Sequence, residues 1–392
     1  MTDVAGDWPQ FRGPERNGRV AWLPDTLPDS PTILWRRPLP SEGHGGIAVA
    51  DGLVVFGCRD VPDQEDLFLA LDAGSGELRW QVSYPAAGTL DYGNSPRAAP
   101  LIHDGLVYLQ SALGRLTCVD LAAGVELWRR ELTTDFGTPP LEWGLTGSPL
   151  WHADRLYVQP GGTRGSIAAL DPLTGETIWA TGIAPPGHAS LIVAPHPRGR
   201  QLIGYDQHSL GGWDPETGER LWTVIPPEPG DFNVPTPCLL DAGLLVATEN
   251  NGTRLYPFRQ DGSLSSQPVA QQAVLSPDAH SPVVAAGRVF GLHLGLHALD
   301  LSDGLRTIWS EEGREFREYG SLLASQTRLL CLTQHGELVL LDSRSEDYRE
   351  LGRLELGDGR RETLSHPALV GRSLFVRLGD ELLCVDLEPP AS

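Results

Sequence analysis

Three repeated patterns predict an all-β chain folded as an eight-bladed β-propeller of four-stranded blades. Eight short β-branched or aromatic runs, each opened by a turn, recur at intervals of about 40–53 residues, the length of one four-stranded blade. A second phrase, an apolar strand followed by Asp, a glycine turn and Trp, recurs five times. The 45 glycines and 33 prolines are spread along all 392 residues instead of gathering in a linker, as turn formers between many short strands would be.

Taken in order, the apolar runs fall at 51–56, 104–109, 154–158, 200–205, 242–247, 287–292, 327–332 and 371–376. A further apolar segment lies upstream of each, as at 98–102. The Asp–Trp phrase follows them as Asp72/Trp80, Asp120/Trp128, Asp171/Trp179 and Asp214/Trp222, eight residues apart, and as Asp300/Trp309, nine apart. Weaker copies open at Asp342, which has lost its Trp, and at Asp386; residues 255–267 hold the right position without the pair. An Asp ending a strand accepts hydrogen bonds from the next turn, and a Trp on an outer strand packs between blades with its indole N–H on a carbonyl. Both are therefore expected to build the fold. The last copy stops after Asp386 without an outer strand, while 32–39, with Trp35, is a strand without a repeat. The N-terminal strand is thus expected to complete blade eight, closing the ring and removing its open edges. The domain division expected is an extension at 1–31 packing on the propeller, one propeller at 32–388 and a tail at 389–392.

Composition narrows the chemistry. The formal net charge is −21, and all 30 basic residues are arginine. Without a lysine there is no Schiff-base amine, no P-loop lysine and no kinase-type lysine. The acidic balance disfavours nucleic acid and anionic membranes, both of which need a basic surface. No run of 18 apolar residues exists, so no transmembrane helix is expected. Residues 1–7 lack the basic and apolar regions of a signal peptide; either the protein is cytosolic or its leader has been removed. The five cysteines are isolated, without CxxC or CxxCH, which excludes zinc ribbons and c-type haem and points to buried free thiols.

The repeat A-L-D-x-x-T-G-E-x-x-W, as at 169–179, resembles the pyrroloquinoline quinone (PQQ) repeat. That repeat is shared by quinoprotein alcohol dehydrogenases and by BamB-like outer-membrane assembly lipoproteins. The opening Asp7-Trp8-Pro9-Gln10-Phe11-Arg12-Gly13-Pro14 is similar to the start of many bacterial PQQ-like propeller proteins, notably from planctomycetes. The resemblance covers nearly the whole chain. It implies export to the periplasm or cell envelope, whereas a true lack of leader would imply the cytoplasm. For the dehydrogenase branch it also implies an adjacent Cys-Cys disulfide against the cofactor, a stacking Trp, and Glu, Asn and Asp calcium ligands. No two cysteines adjoin here, and the calcium-ligand context is missing.

In a propeller, the loops leading into the first strands converge on one opening. At nearly one register these loops carry His44, His188, His280 and His366, with Asn94 and Asn233 in two others and Trp143 and Tyr319 in the last two. Such a set can bind a metal, an anion or a polar small molecule; the plainer reading is solvated loop tips or backbone caps. His44 and His366, in blades made neighbours by closure, are the pair best placed for a metal. His293 and His297, four apart in a strand context, read as surface histidines. The glycines of 161–165 read as a hairpin turn, and the mixed charges of 311–318 as a solvated loop. The function expected is a non-catalytic binding or assembly scaffold, monomeric and needing no cofactor, for a protein or a neutral or cationic small-molecule partner. The alternative is an oxidoreductase for alcohols or sugars holding PQQ with calcium.

Overall fold

The structure, a computed structural model, describes residues 6–388. The expected tail at 389–392 and the first five residues of the extension lie outside the described residues. The chain is an eight-bladed β-propeller built of eight four-stranded antiparallel sheets. Among the described residues only Leu132–Phe136 is α-helical, with one 3-10 turn at Arg314–Phe316. Residues 1–86 with 282–392 form one compact unit and residues 87–281 a second, each holding four blades. The second unit contains blades at 101–131, 150–181, 192–224 and 238–272; the first contains those at 48–85, 283–311, 320–355 and 368–386.

Seven sheets are simple meanders; the eighth takes its outer strand from the far end of the sequence. Thr32–Pro38 pairs antiparallel with Glu381–Asp386, from Thr32 opposite Asp386 to Pro38 opposite Glu381. This is the expected clasp.

One register rule explains the Asp–Trp phrase. Trp80 lies opposite Ala70, Trp128 opposite Cys118, Trp179 opposite Ala169, Trp222 opposite Gly212 and Trp309 opposite Ala298. The residue facing each indole is always small and always stands two before the Asp. A β-bulge follows at once, and the added twist turns the outer strand into the glycine turn. The clasp obeys the same rule, with Trp35 opposite Cys384.

The turns are held by their Asp side chains. Asp171 Oδ1 accepts the N–H groups of Leu173 and Thr174 at 2.8 and 2.9 Å, and Asp214 Oδ1 those of Glu216 and Thr217 at 2.8 and 3.0 Å. Three of the indoles then dock on the next blade, while the buried Trp309 Nε1 has no hydrogen-bond partner among the described residues. Trp35 Nε1 donates to the Ala73 carbonyl at 2.9 Å, Trp128 to Pro172 at 2.8 Å and Trp179 to Pro215 at 3.0 Å. Trp222 differs, donating to Gln201 within its own sheet at 2.7 Å. The turn glycine beneath an indole is required twice over. Gly175 has φ +72°, and a Cβ there would lie 2.6 Å from the Trp128 ring.

Within the first unit, residues 8–27 run along the first strands of several blades. Trp8 exchanges both backbone hydrogen bonds with Val49 at 2.7 Å, Arg12 donates to the Pro282 carbonyl at 2.6 Å, and Val20 N–H donates to Ala324 at 2.9 Å. The segment ends by repairing the blade that lost its Trp. There Leu340 faces Gly352, and Leu27 packs into the space against that glycine. A Cβ on Gly352 would stand 2.8 Å from the Leu27 backbone nitrogen. Gly352→Ala is therefore expected to lower unfolding stability by about 1–3 kcal/mol, measured by urea denaturation. An unchanged midpoint would show that Leu27 does not fill this gap.

Candidate binding site on the loops leading into the blades

In the second unit the lead-in loops are tied to one another by side-chain hydroxyls. The N–H of Ala99 donates to Ser148 Oγ at 3.0 Å, that of Ser148 to Ser190 Oγ at 3.0 Å, that of Ser190 to Thr236 Oγ1 at 3.1 Å, and that of Thr236 to Ser281 Oγ at 2.9 Å. Each of these residues stands two before its blade's first strand. A short hydroxyl at this point satisfies a backbone donor that the sheet leaves open and fixes the loop spacing.

On this frame the 141–148, 186–190 and 231–237 loops bring three rings together. Trp143 meets His188 with centroids 5.0 Å apart and Phe232 at 4.7 Å, both edge to face. The Thr146 hydroxyl lies 3.0 Å from both Nδ1 and the backbone oxygen of His188. Burial, helped by the Arg97 charge, lowers the His188 pKa to about 4, so its ring is neutral at pH 7. Arg97 Nη2 donates to the backbone carbonyls of Asp91 and Gly93, bracing a turn in which Tyr92 is held at φ +59°. A bulky residue rarely adopts that conformation, and such strain persists only where the surroundings enforce it. Tyr92 is 61% exposed and Phe232 49%.

Carboxylates flank the rings. Trp143 Nε1 donates to Asp91 Oδ2 at 3.4 Å, and the Phe232 N–H donates to Glu249 Oε1. Asp231, buried, accepts Asn250 N–H at 2.9 Å and Asn251 Nδ2 at 2.7 Å. Burial raises the Glu249 pKa, and the Asp231 and Asp278 carboxylates add to the shift.

The eight residues singled out in the sequence thus have different surroundings. Trp143, His188 and Asn233 come together, the Asn233 carbonyl accepting the N–H groups of His188 at 3.1 Å and Ala189 at 2.7 Å. Asn94 folds back on its own loop, accepting the Leu90 N–H at 3.0 Å, and His280 precedes the final serine of the hydroxyl series. In the first unit, Ser365 Oγ donates to the Gly43 carbonyl at 3.0 Å, joining the loops that carry His366 and His44. The His366 ring packs edge-on to Phe11 at 4.9 Å, with Nδ1 3.4 Å from Ser321 Oγ. The Tyr319 N–H is taken by Gln334 Oε1 at 2.9 Å. Among the described residues, no three His, Cys, Asp or Glu side chains are placed to share a metal ion.

One expectation is overturned. His297 is not at the surface: it is 4% exposed, with Nε2 donating to the His293 carbonyl at 2.8 Å and Nδ1 2.8 Å from Ser310 Oγ. Both ring nitrogens are satisfied locally, so the imidazole is a core residue. The hydroxyl series was missed in the sequence, although Ser-Pro or Thr-Pro at 148–149, 236–237 and 281–282 marks it at three sites. Phe232 was missed too, overshadowed by its neighbour Asn233. All five cysteines are buried free thiols; burial pushes the pKa of Cys58 and Cys384 up to about 11 and that of Cys118 to about 12.

The sequence model of a family described as outer membrane protein assembly factor BamB matches residues 24–194 and 163–389. The chain is 28% identical to the outer membrane protein assembly factor BamB of Yersinia pestis over 169 residues, 42% of this chain and 36% of that protein. It is 34% identical to the quinohemoprotein alcohol dehydrogenase ADH IIB of Pseudomonas putida over 120 residues, 29% of this chain and 17% of the enzyme. The matched stretches thus span well under half of these curated relatives. Among solved structures, quinohemoprotein alcohol dehydrogenase from Comamonas testosteroni superposes with a TM-score of 0.70 at 14% identity, covering 100% of this chain and 82% of that one. BamB from Moraxella catarrhalis does so with a TM-score of 0.62 at 16% identity, covering 91% and 99%. At these identities the superpositions establish the fold.

Proposed function

The chain belongs to the family described as outer membrane protein assembly factor BamB, and on that premise we propose that it is a non-catalytic binding scaffold whose lead-in loops dock a partner. The observation that carries this reading is the contrast in the second unit between locked backbone and exposed rings. Tyr92 and Phe232 stand out into solvent on loops tied down by the Ser148–Ser190–Thr236–Ser281 hydroxyls and by Arg97. Large apolar rings on a pre-organised frame are what a docking surface needs, because little ordering entropy is lost on binding.

The residues present do not fit PQQ with calcium. The cysteines are separate and buried, so the adjacent-cysteine disulfide implied for the dehydrogenase branch has no counterpart in this sequence. The described side chains also offer no cluster of three acidic, histidine or cysteine ligands for a cation. His366, half of the pair proposed for a metal, packs on Phe11 of the N-terminal segment.

The test is a titration with PQQ and calcium followed by absorbance and thermal shift, coupled to dye reduction with alcohols and sugars. No saturable binding and no dye reduction are expected. Saturable PQQ binding together with turnover would replace the scaffold reading by the oxidoreductase.

A further inference from the structure

We propose that a cavity in the first unit, walled by Trp22 and the 325–327 turn, binds a neutral hexopyranose sugar. The site is separate from the docking surface on the lead-in loops. It lies at the other end of a first strand, where Gly320–Ala324 turns into Arg328–Thr333.

The cavity measures about 560 Å³, and Trp22, Asp25, Ser325, Gln326, Thr327 and Glu388 are among the residues that line it. That is the size of a small-molecule site. Its walls are fixed before any ligand arrives. The Val20 N–H donates to the Ala324 carbonyl at 2.9 Å and the Thr26 hydroxyl to the Leu351 carbonyl at 3.0 Å, which hold the N-terminal segment on both sides of Trp22. Ser325 Oγ accepts the Arg328 N–H at 3.1 Å and closes the turn. Little ordering is left to be lost on binding.

The charges at the cavity are already matched. Asp25 and Glu388 are the only ionic side chains among the described residues that line it. Asp25 Oδ1 accepts Arg328 Nη2 at 2.6 Å, and Glu388 is paired with Arg372. Neither a cation nor an anion finds an uncompensated partner there, so the ligand that fits is neutral. The polar groups left over both donate and accept. The Gln326 amide and the Thr327 hydroxyl make no side-chain hydrogen bond to another described residue, and a ligand bearing several hydroxyls can use each of them in either sense.

Trp22 supplies the apolar half of the site. It is half-buried, packs on the core cluster that contains Leu23 and Leu27, and also lines the cavity. The C–H bonds on one face of a pyranose ring are weakly positive and settle on the negative face of an indole, while the hydroxyls point sideways. A linear polyol lacks that flat face, and a purely apolar ligand would leave the amide and hydroxyl unmatched.

The test uses the full chain labelled with 5-fluorotryptophan, with the Trp22 fluorine signal assigned by its loss in Trp22→Phe. The probes are the methyl glycosides of glucose, galactose, mannose and N-acetylglucosamine, with glycerol as the polyol without a ring. At least one glycoside is expected to shift the Trp22 signal saturably and to bind at least about tenfold more tightly than glycerol. By calorimetry, Trp22→Ala is expected to weaken that glycoside at least about tenfold and Gln326→Ala at least about threefold, while Trp143→Ala, an indole in the other unit, leaves it unchanged. No saturable glycoside, glycerol as tight as the glycosides, or binding unaffected by Gln326→Ala would overturn the proposal. If Trp22→Ala unfolds, as a thermal scan of each variant will show, Gln326→Ala decides alone, since its side chain is exposed. Cellotriose and chitotriose, run alongside, separate the end of a glycan, which binds more tightly than its methyl glycoside, from a free sugar, which binds equally; either result supports the cavity. Failure of every sugar overturns this inference and leaves the reading of the lead-in loops standing.

Discussion

Trp35→Ala is expected to destabilise the protein by about 3–5 kcal/mol, several times the effect of Trp143→Ala, at about 1 kcal/mol. The difference comes from what each indole touches. Trp35 is buried in the clasp, lies 2.7 Å from where a Cβ on Gly76 would be, contacts Phe375 at 6.0 Å between centroids, and donates to the Ala73 carbonyl. Its loss opens a cavity where the two ends of the chain meet and strands a carbonyl. Trp143 is only half-buried and meets other loop residues. Guanidinium denaturation of the two variants side by side provides the check. Similar midpoints would mean that the clasp tryptophan is not a structural residue of the kind described.

The second large effect is expected at Arg377, which is 1% exposed in the strand Ser373–Leu378. Its Nη1 donates to the Gly57 carbonyl at 2.6 Å and its Nη2 to that of Ser41 at 2.9 Å, so one guanidinium staples the last blade to the first. Burial lowers its pKa to about 10, which still leaves it charged at pH 7. Arg377→Met removes the cost of burying a charge but leaves two carbonyls unmet, each worth about 1–3 kcal/mol. Since the partners are carbonyls that stay behind, the loss outweighs the relief, and a net destabilisation of about 2–3 kcal/mol is expected. Arg377→Lys, unable to reach two carbonyls with one planar fork, should fall between. Chemical denaturation of both variants tests this; a methionine variant as stable as the parent would show that the staple contributes nothing net.

What was legible in the sequence was whatever repeats. The apolar runs and the Asp–Trp phrase are each carried within one blade, so short-range spacing reveals them, and Trp35 with the incomplete last copy was enough to predict the clasp. The contacts that position the site join different blades, where spacing is silent. Ser148, Ser190 and Thr236 are linked across more than forty residues at each step, and Leu27 fills a gap opened by a Trp missing far downstream. His297 was misread for a related reason: its two partners, the His293 carbonyl and Ser310, come together only once the hairpin is paired. A polar residue in a strand reads as exposed until its hydrogen bonds are seen.

The clasp also sets a problem of timing. Thr32–Pro38 leaves the ribosome more than three hundred residues ahead of Glu381–Asp386, its only sheet neighbour among the described residues. At ordinary rates of synthesis that wait is on the order of half a minute, during which an apolar strand bearing Ile33, Leu34 and Trp35 has both edges open. Arg36, Arg37 and Pro38 follow directly, and paired charges with a proline are what discourage a nascent strand from recruiting a stranger. In the finished protein Arg36 has a second use, bonding Glu381 at 3.0 Å and the Leu356 carbonyl at 3.1 Å. The residues that protect the waiting strand thus help to hold it once its partner arrives.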